Sequence, residues 1–215
     1  MTRVKPMRKI LTAAEPDIMI HVVRLIVLYE DLKLEIGLML VPPSKALDEV
    51  SEHYRRAYLL RRLFTTFLEI DSALLQLNAH SEFKQALQRF PVQQLEAWDT
   101  AIKFFAKKKS LIKDRRNAYG GHFQANVAKY VLSLVEDADE SVGALEIKID
   151  DDGAHHYVFQ FAESLVNVGL FFDRGKQDQA EFMTESMELV TDAIRHAAMA
   201  VQSLADHYIL PTFGW

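Results

Sequence analysis

Cysteine is absent from the 215-residue chain. That removes disulfides, thiolate zinc sites, iron–sulfur ligation and thiol nucleophiles from consideration, and it suits a cytoplasmic location. Glycine and proline are also scarce, at 8 and 6 residues, and there is no low-complexity linker or internal repeat. A membrane-length apolar run is lacking too: the stretch from Ile18 to Leu28 is broken by His21 and Arg24. It is too short and too interrupted for a span, and the residues before it, with Arg3, Lys5, Arg8 and Lys9, start too polar for a secretion signal. No Walker loop, Rossmann glycine fingerprint or nucleophile elbow is present. No Glu-x-x-His occurs anywhere, which argues against a di-metal carboxylate bundle. No cofactor and no metal are expected.

The chain is 49% hydrophobic and 26% charged, the balance of an ordinary globular protein rather than a disordered one. Its length favours one domain spanning residues 1–215. The net charge of −5 hides a segregation of sign. Lys103, Lys107, Lys108, Lys109, Lys113, Arg115 and Arg116 cluster against the single acid Asp114, whereas the segment from Glu136 to Asp152 is acidic except for Lys148. The lysine run reads equally as a solvated helix face or as a phosphate-attracting patch.

Helical periodicity organises most of the chain. Residues 17–36 place Asp17, His21, Arg24, Asp31 and Glu35 on one face, and Gly37 with Pro42 and Pro43 is expected to end that helix. A second helix, with Ser44 as its cap, is expected to run to about Asn78, burying Leu60, Leu63, Phe64, Phe67, Leu74 and Leu75. A short piece from Ser81 to Gln88 follows. A long helix then runs from the Pro91 turn to about Tyr119, on which Trp98, Phe105, Ile112 and Tyr119 recur every seven residues. That stripe is either ordinary core or a dimer seam.

Gly120 and Gly121 stop the long helix, because glycine readily takes the left-handed conformation of a helix C-terminus. Another helix is expected from Gln124 to about Val135, closing a motif-bearing core of about 17–136. Alternating runs at Ala144 to Ile149 and Tyr157 to Phe161, around Asp151, Asp152 and Gly153, predict a small β-hairpin insertion near 144–161. His155 and His156 on it point to opposite faces of a strand, a poor start for a metal site. A short helix near Glu163 to Phe172 and a C-terminal helix of about 178–208, carrying His196 and His207, complete a mainly α fold that ends in an aromatic tail at Phe213 and Trp215.

Projection at 100° per residue sets Arg116 at the edge of the Trp98 stripe and Asp71 inside the apolar arc of the second helix. An unpaired carboxylate there would be costly, so Asp71 is expected to pair with Arg115, Arg116 or His122. The segment Ile112-Lys113-Asp114-Arg115-Arg116-Asn117-Ala118-Tyr119-Gly120-Gly121-His122-Phe123 resembles the signature of the HEPN superfamily. In that signature an arginine is followed by a polar residue and, after four to six intervening positions, by a histidine. Here Asn117 is the polar neighbour, and five residues separate Arg116 from His122.

The resemblance implies an HEPN-like antiparallel helical bundle that forms a homodimer, with two motifs facing one cleft. It commonly implies a metal-independent endoribonuclease, with RNA as substrate, acting as a toxin or in defence, and it allows an antitoxin partner. Arg116, Asn117 and His122 would be catalytic, with Arg115, Asp71 and Tyr119 supporting them. His122 titrates near neutrality and suits proton transfer at the RNA 2′-hydroxyl or leaving oxygen. Arg116 suits a charge-assisted fork on the phosphate, and Lys103, Lys107, Lys109 and Lys113 suit sequence-independent phosphate attraction. Two other readings stand beside this one. The motif can be a non-catalytic RNA-, nucleotide- or protein-binding module, or only a helix stop in which Asn117 and His122 bond free carbonyls.

Overall fold

The computed structural model describes residues 16–42, 49–119, 145–149, 155–159 and 176–213. These residues are mainly helical. The α-helices are α1 (Pro16–Leu40), α2 (Glu49–Ala79), α3 (Ser81–Leu87), α4 (Val92–Tyr119) and α5 (Lys176–Leu204). A π-helical turn, Ala205–Ile209, and a 3-10 turn, Leu210–Phe213, follow α5 directly. Strands β1 (Leu145–Ile149) and β2 (His155–Phe159) pair antiparallel, with Leu145 opposite Phe159 and Ile149 opposite His155. The expected turn at Asp151–Gly153, the helices expected at 124–135 and 163–172, the Ser44 cap and Trp215 lie outside the described residues.

The chain divides into two compact units. One comprises Met1–Gly37, Leu63–Lys113 and Met187–Trp215, and the other comprises Leu38–Arg62 and Asp114–Ser186. In the first, Val22, Leu25 and Leu32 of α1, Phe64, Phe67 and Leu77 of α2, Phe83 of α3 and Trp98 of α4 are fully buried. Phe83 is the hub of its aromatic cluster, edge-on to Trp98 at 5.0 Å and to Phe90 at 6.2 Å. Such edge-to-face pairs are favoured by the ring quadrupoles. Ala193, Ala197 and Ala200 are fully buried on α5 in this unit, beside Val190, Val201 and Leu204. In the second unit Ala57, Leu59, Leu60, Tyr119 and Phe182 are buried.

Two details depart from the sequence expectations. Gly37 lies within α1 rather than ending it, and the helix continues to Leu40. Among the described residues, no atom lies within 4 Å of where a side-chain Cβ at Gly37 would sit. The stop falls instead just before Pro42, which disfavours the helical conformation for the residue ahead of it. Because α1 has no basic residue in its last turn, its end is served from α2. There Arg55 donates to the carbonyls of Leu38 (2.6 Å) and Val41 (3.3 Å) and is itself held by Glu52. This supplies donor and positive charge where a helix C-terminus leaves carbonyls unpaired. Leu75, expected on the buried side of α2, is 42% exposed, since it sits at the margin of the arc. The α4 helix begins one residue after Pro91, whose carbonyl accepts from the Gln94 and Leu95 amides.

Candidate functional site

The residues singled out from the sequence cluster on α4, and the structure sorts them by environment. Trp98, Phe105, Ile112 and Tyr119 are all at most 2% exposed. The seven-residue stripe is therefore core within the chain, and the alternative of a solvent-facing dimer seam on α4 is set aside. Lys103, Lys107 and Lys113 are exposed, as a solvated helix face requires.

Lys109 has a different task. Its Nζ lies 2.7 Å from Oδ2 of Asp71, and Asp71 is only 2% exposed. The ion-pair partner of this buried acid is thus Lys109. Arg115, named for it from the sequence, is engaged elsewhere, Arg116 bonds within its own helix, and His122 lies outside the described residues. Lys109 and Arg116 are seven residues apart on α4 and share a helical phase, so position along the helix, not phase, selects the partner. Oδ2 makes no well-directed hydrogen bond, so the pairing is one of charge and distance.

The two adjacent arginines at the end of α4 part company. Arg115 is 6% exposed. Its Nη2 donates to Glu185 of α5 at 2.5 Å, and its guanidinium lies over the Phe182 ring, 3.8 Å from the centroid. A planar cation stacked on an aromatic face and paired with a carboxylate is a packing element. Arg116 is half-buried, and its Nε and Nη2 both donate to Oδ1 of Asn117, at 3.2 and 2.8 Å. Tyr119, two residues on, is buried against Phe182 at 5.8 Å between ring centroids, with its hydroxyl 3.2 Å from the Met183 sulfur. The sequence-predicted supporting residues Arg115 and Tyr119 therefore anchor the end of α4 onto α5 within the second unit. Arg116 and Asn117 stand together on its margin. Glu185 and Phe182 escaped the sequence reading because they lie some 70 positions from Arg115 with no short-range signal.

Other titratable groups are less exposed than their residue types suggest. His196 is buried; its ring lies parallel to that of Phe104, 4.0 Å between centroids, and its Nδ1 is 2.6 Å from the Asp192 carbonyl. His207 stacks on Phe90 at 4.1 Å, and burial, then Arg89, lowers its pKa. His21 is lowered by burial and by the neighbouring His80, whose ring centroid is 5.0 Å away. Tyr208 is pushed up to about 12 by burial, and its hydroxyl has no hydrogen-bond partner among the described residues. In the second unit, hydrogen bonds from Arg55 and then Arg56 hold Glu52 down to about 2. Among the described residues, no group of three or more His, Asp and Glu is arranged to hold a metal ion. No helix of the described residues is long and apolar enough to cross a membrane.

Comparison with family models, with curated proteins and with solved structures finds no match to this chain.

Proposed function

We propose that the chain is an HEPN-type endoribonuclease whose site is built on Arg116, Asn117 and His122. The observation that carries this reading is the division between the adjacent arginines. Arg115 is consumed by Glu185 and Phe182, which leaves Arg116 as the motif's arginine, already joined to the polar residue that follows it. In this reading His122 takes the proton from an RNA 2′-hydroxyl while water protonates the leaving 5′-oxygen, or His122 protonates the leaving oxygen while water takes the 2′-hydroxyl proton. The 2′-oxygen bonds to phosphorus as the bond to the 5′-oxygen breaks, giving a cyclic phosphate and a free 5′-hydroxyl. Arg116 neutralises the charge that grows on the phosphoryl oxygens, and Asn117 holds the guanidinium in its fork geometry. The nucleophile comes from the RNA itself, so the step needs no metal-activated water.

The same reading takes the described helices as parts of one HEPN-like antiparallel bundle, with the β1–β2 pair as its insertion. It gives the protein a cytoplasmic role as a toxin or defence factor, with a homodimer and an antitoxin among its partners. RNA would approach over Lys103, Lys107 and Lys113, which supply the salt-sensitive part of the attraction.

A second reading, a non-catalytic module of the same type that binds RNA, a nucleotide or a protein, is favoured by two observations. Lys109 is committed to Asp71, and the net charge is −5, so the basic approach is thinner than the sequence suggests. Incubating the protein with RNA in a chelator, beside Arg116→Ala and His122→Ala, distinguishes the two. The enzyme reading expects chelator-resistant cleavage that both changes abolish, and the module reading expects retention of RNA without cleavage.

A further inference from the structure

His21, on α1, and His80, between α2 and α3, meet in the first unit, with ring centroids 5.0 Å apart and planes tilted by 51°. His196 and His207 sit differently: each stacks on a phenylalanine, at 4.0 and 4.1 Å, with interplanar angles of 5° and 28°. Nδ1 of His21 is buried and has no hydrogen-bond partner among the described residues, a costly arrangement for a polar nitrogen. His80 occupies the N-cap of α3, yet its side chain makes no capping hydrogen bond. A position that favours Ser, Thr, Asp or Asn thus carries an imidazole that does no capping. The backbone on either side holds that imidazole in place: the His80 amide donates to the Leu77 carbonyl at 3.2 Å, and its carbonyl accepts from the Lys84 amide at 3.1 Å.

We propose that His21 and His80 form a two-imidazole site for a divalent d-block cation of the zinc type, which clamps α1 to the junction of α2 and α3. The ring separation carries this. An imidazole nitrogen binds Zn²⁺ at about 2.0–2.1 Å and lies about 1.1 Å from its ring centre, so each ring centre stands about 3.2 Å from the ion. Two such centres are about 5.2 Å apart at the tetrahedral angle and about 4.5 Å apart at a right angle. The observed 5.0 Å falls between the two. Imidazole suits zinc, copper and nickel and does not suit calcium or magnesium, which take oxygen donors.

No third His, Asp or Glu joins the pair among the described residues, so water fills the remaining positions of the ion. With half the donors of a four-ligand structural zinc site, the expected dissociation constant is on the order of 1–100 µM. The surrounding charges are balanced. Burial, then His80 and Arg24, lowers the pKa of His21, and Asp17, four residues before it on α1, opposes them. His21 is therefore neutral at pH 7, the form that a metal takes. Arg24 is drawn to Gln76, with Nη1 2.7 Å from Oε1. The inference does not depend on ribonuclease activity, because both histidines lie in the first unit and the Arg116–Asn117 pair lies in the second.

Calorimetric titration of the full chain with Zn²⁺ alone, after chelator treatment and dialysis, tests it. The wild type is expected to bind with a dissociation constant on the order of 1–100 µM. His21→Gln and His80→Asn each weaken binding by about tenfold or more while far-UV circular dichroism is unchanged. Asparagine is a favoured N-cap, so His80→Asn removes the imidazole and keeps the start of α3. His207→Gln, at a stacked histidine, leaves binding as it was. Zn²⁺ at about a hundred times the dissociation constant raises the wild-type melting midpoint by roughly 5–10 °C and leaves the His21 and His80 variants where they were. Absence of binding up to about 1 mM overturns the proposal. So does binding that neither substitution weakens, which would place the ion on other histidines and leave His21 and His80 as a ring contact only. A loss confined to one of the two variants, or an equal melting shift in both, overturns the shared site.

Discussion

Replacing Arg115 and Arg116 one at a time separates a packing arginine from a functional one. Arg115 is buried, paired with Glu185 and stacked 3.8 Å over Phe182. A hydrogen bond to a charged group contributes about 1.5–3 kcal/mol, and a partly desolvated cation–π contact about 1–2 kcal/mol. The two share one side chain, and the Glu185 end of the pair is 54% exposed, where solvent weakens it. The combined loss on Arg115→Ala is therefore about 3 kcal/mol rather than the sum of the maxima. For a chain of this size each kcal/mol moves the midpoint by roughly 2–4 °C, so Arg115→Ala should melt roughly 6–12 °C below the parent. Arg115→Lys keeps the charge but loses the planar stack, and should fall between the two. Arg116 bonds only to its neighbour Asn117 among the described residues, so Arg116→Ala should cost less than about 0.5 kcal/mol, within the range of ordinary surface changes. Differential scanning calorimetry of the three variants decides the matter. A midpoint for Arg116→Ala as low as that for Arg115→Ala, or an unchanged midpoint for Arg115→Ala, would refute the assignment of roles.

Three further experiments probe buried polar groups and their partners. Lys109→Met should destabilise by about 1–2 kcal/mol, the cost of stranding a buried carboxylate, tempered by the exposure of the lysine; adding Asp71→Asn should return most of it in urea titrations, and a strictly additive double variant would contradict the pairing. His21 has its pKa lowered by burial, His80 and Arg24, with Asp17 opposing. The unfolded chain therefore takes up the proton first, and stability present above about pH 6.5 declines as pH falls through the lower folded value. His21→Gln should flatten that slope between pH 6.5 and 5, leaving the part due to His207, which is lowered in the same direction; an equally steep slope would exclude His21 as a source. Tyr208→Phe should be neutral or stabilising by up to about 1 kcal/mol, because its buried hydroxyl has no hydrogen-bond partner among the described residues; a loss of stability would reveal a partner at the hydroxyl.

Periodicity made most of the described helices readable. The arc containing Leu60, Leu63, Phe64, Phe67 and Leu74, and the stripe through Trp98, lie in the core for the reason the pattern suggests: side chains at helical spacing share a face and are removed from water together. What periodicity could not supply was position along a helix axis. It placed Asp71 in an apolar arc but could not distinguish Lys109 from Arg116 as its partner, because both lie at the same phase. It could not separate Arg115 from Arg116 either. That distinction depends on Phe182 and Glu185, which tertiary packing alone brings to α4. Glycine was overweighted at Gly37: one glycine costs a helix only about 1 kcal/mol, and the carbonyls beyond it are satisfied by Arg55 from a different helix. The polar face read on α1 was shifted in phase: Glu35, placed on it, is buried and accepts from Thr66, whereas Ile20, Val27 and Leu34 are exposed.

The most direct test of the central claim is cleavage of a mixed-sequence RNA by the purified protein in excess chelator, with the product ends determined. The account predicts cyclic phosphate ends and loss of cleavage in both Arg116→Ala and His122→Ala, each still folded by circular dichroism. Cleavage that requires added metal, or that survives either change, would contradict it.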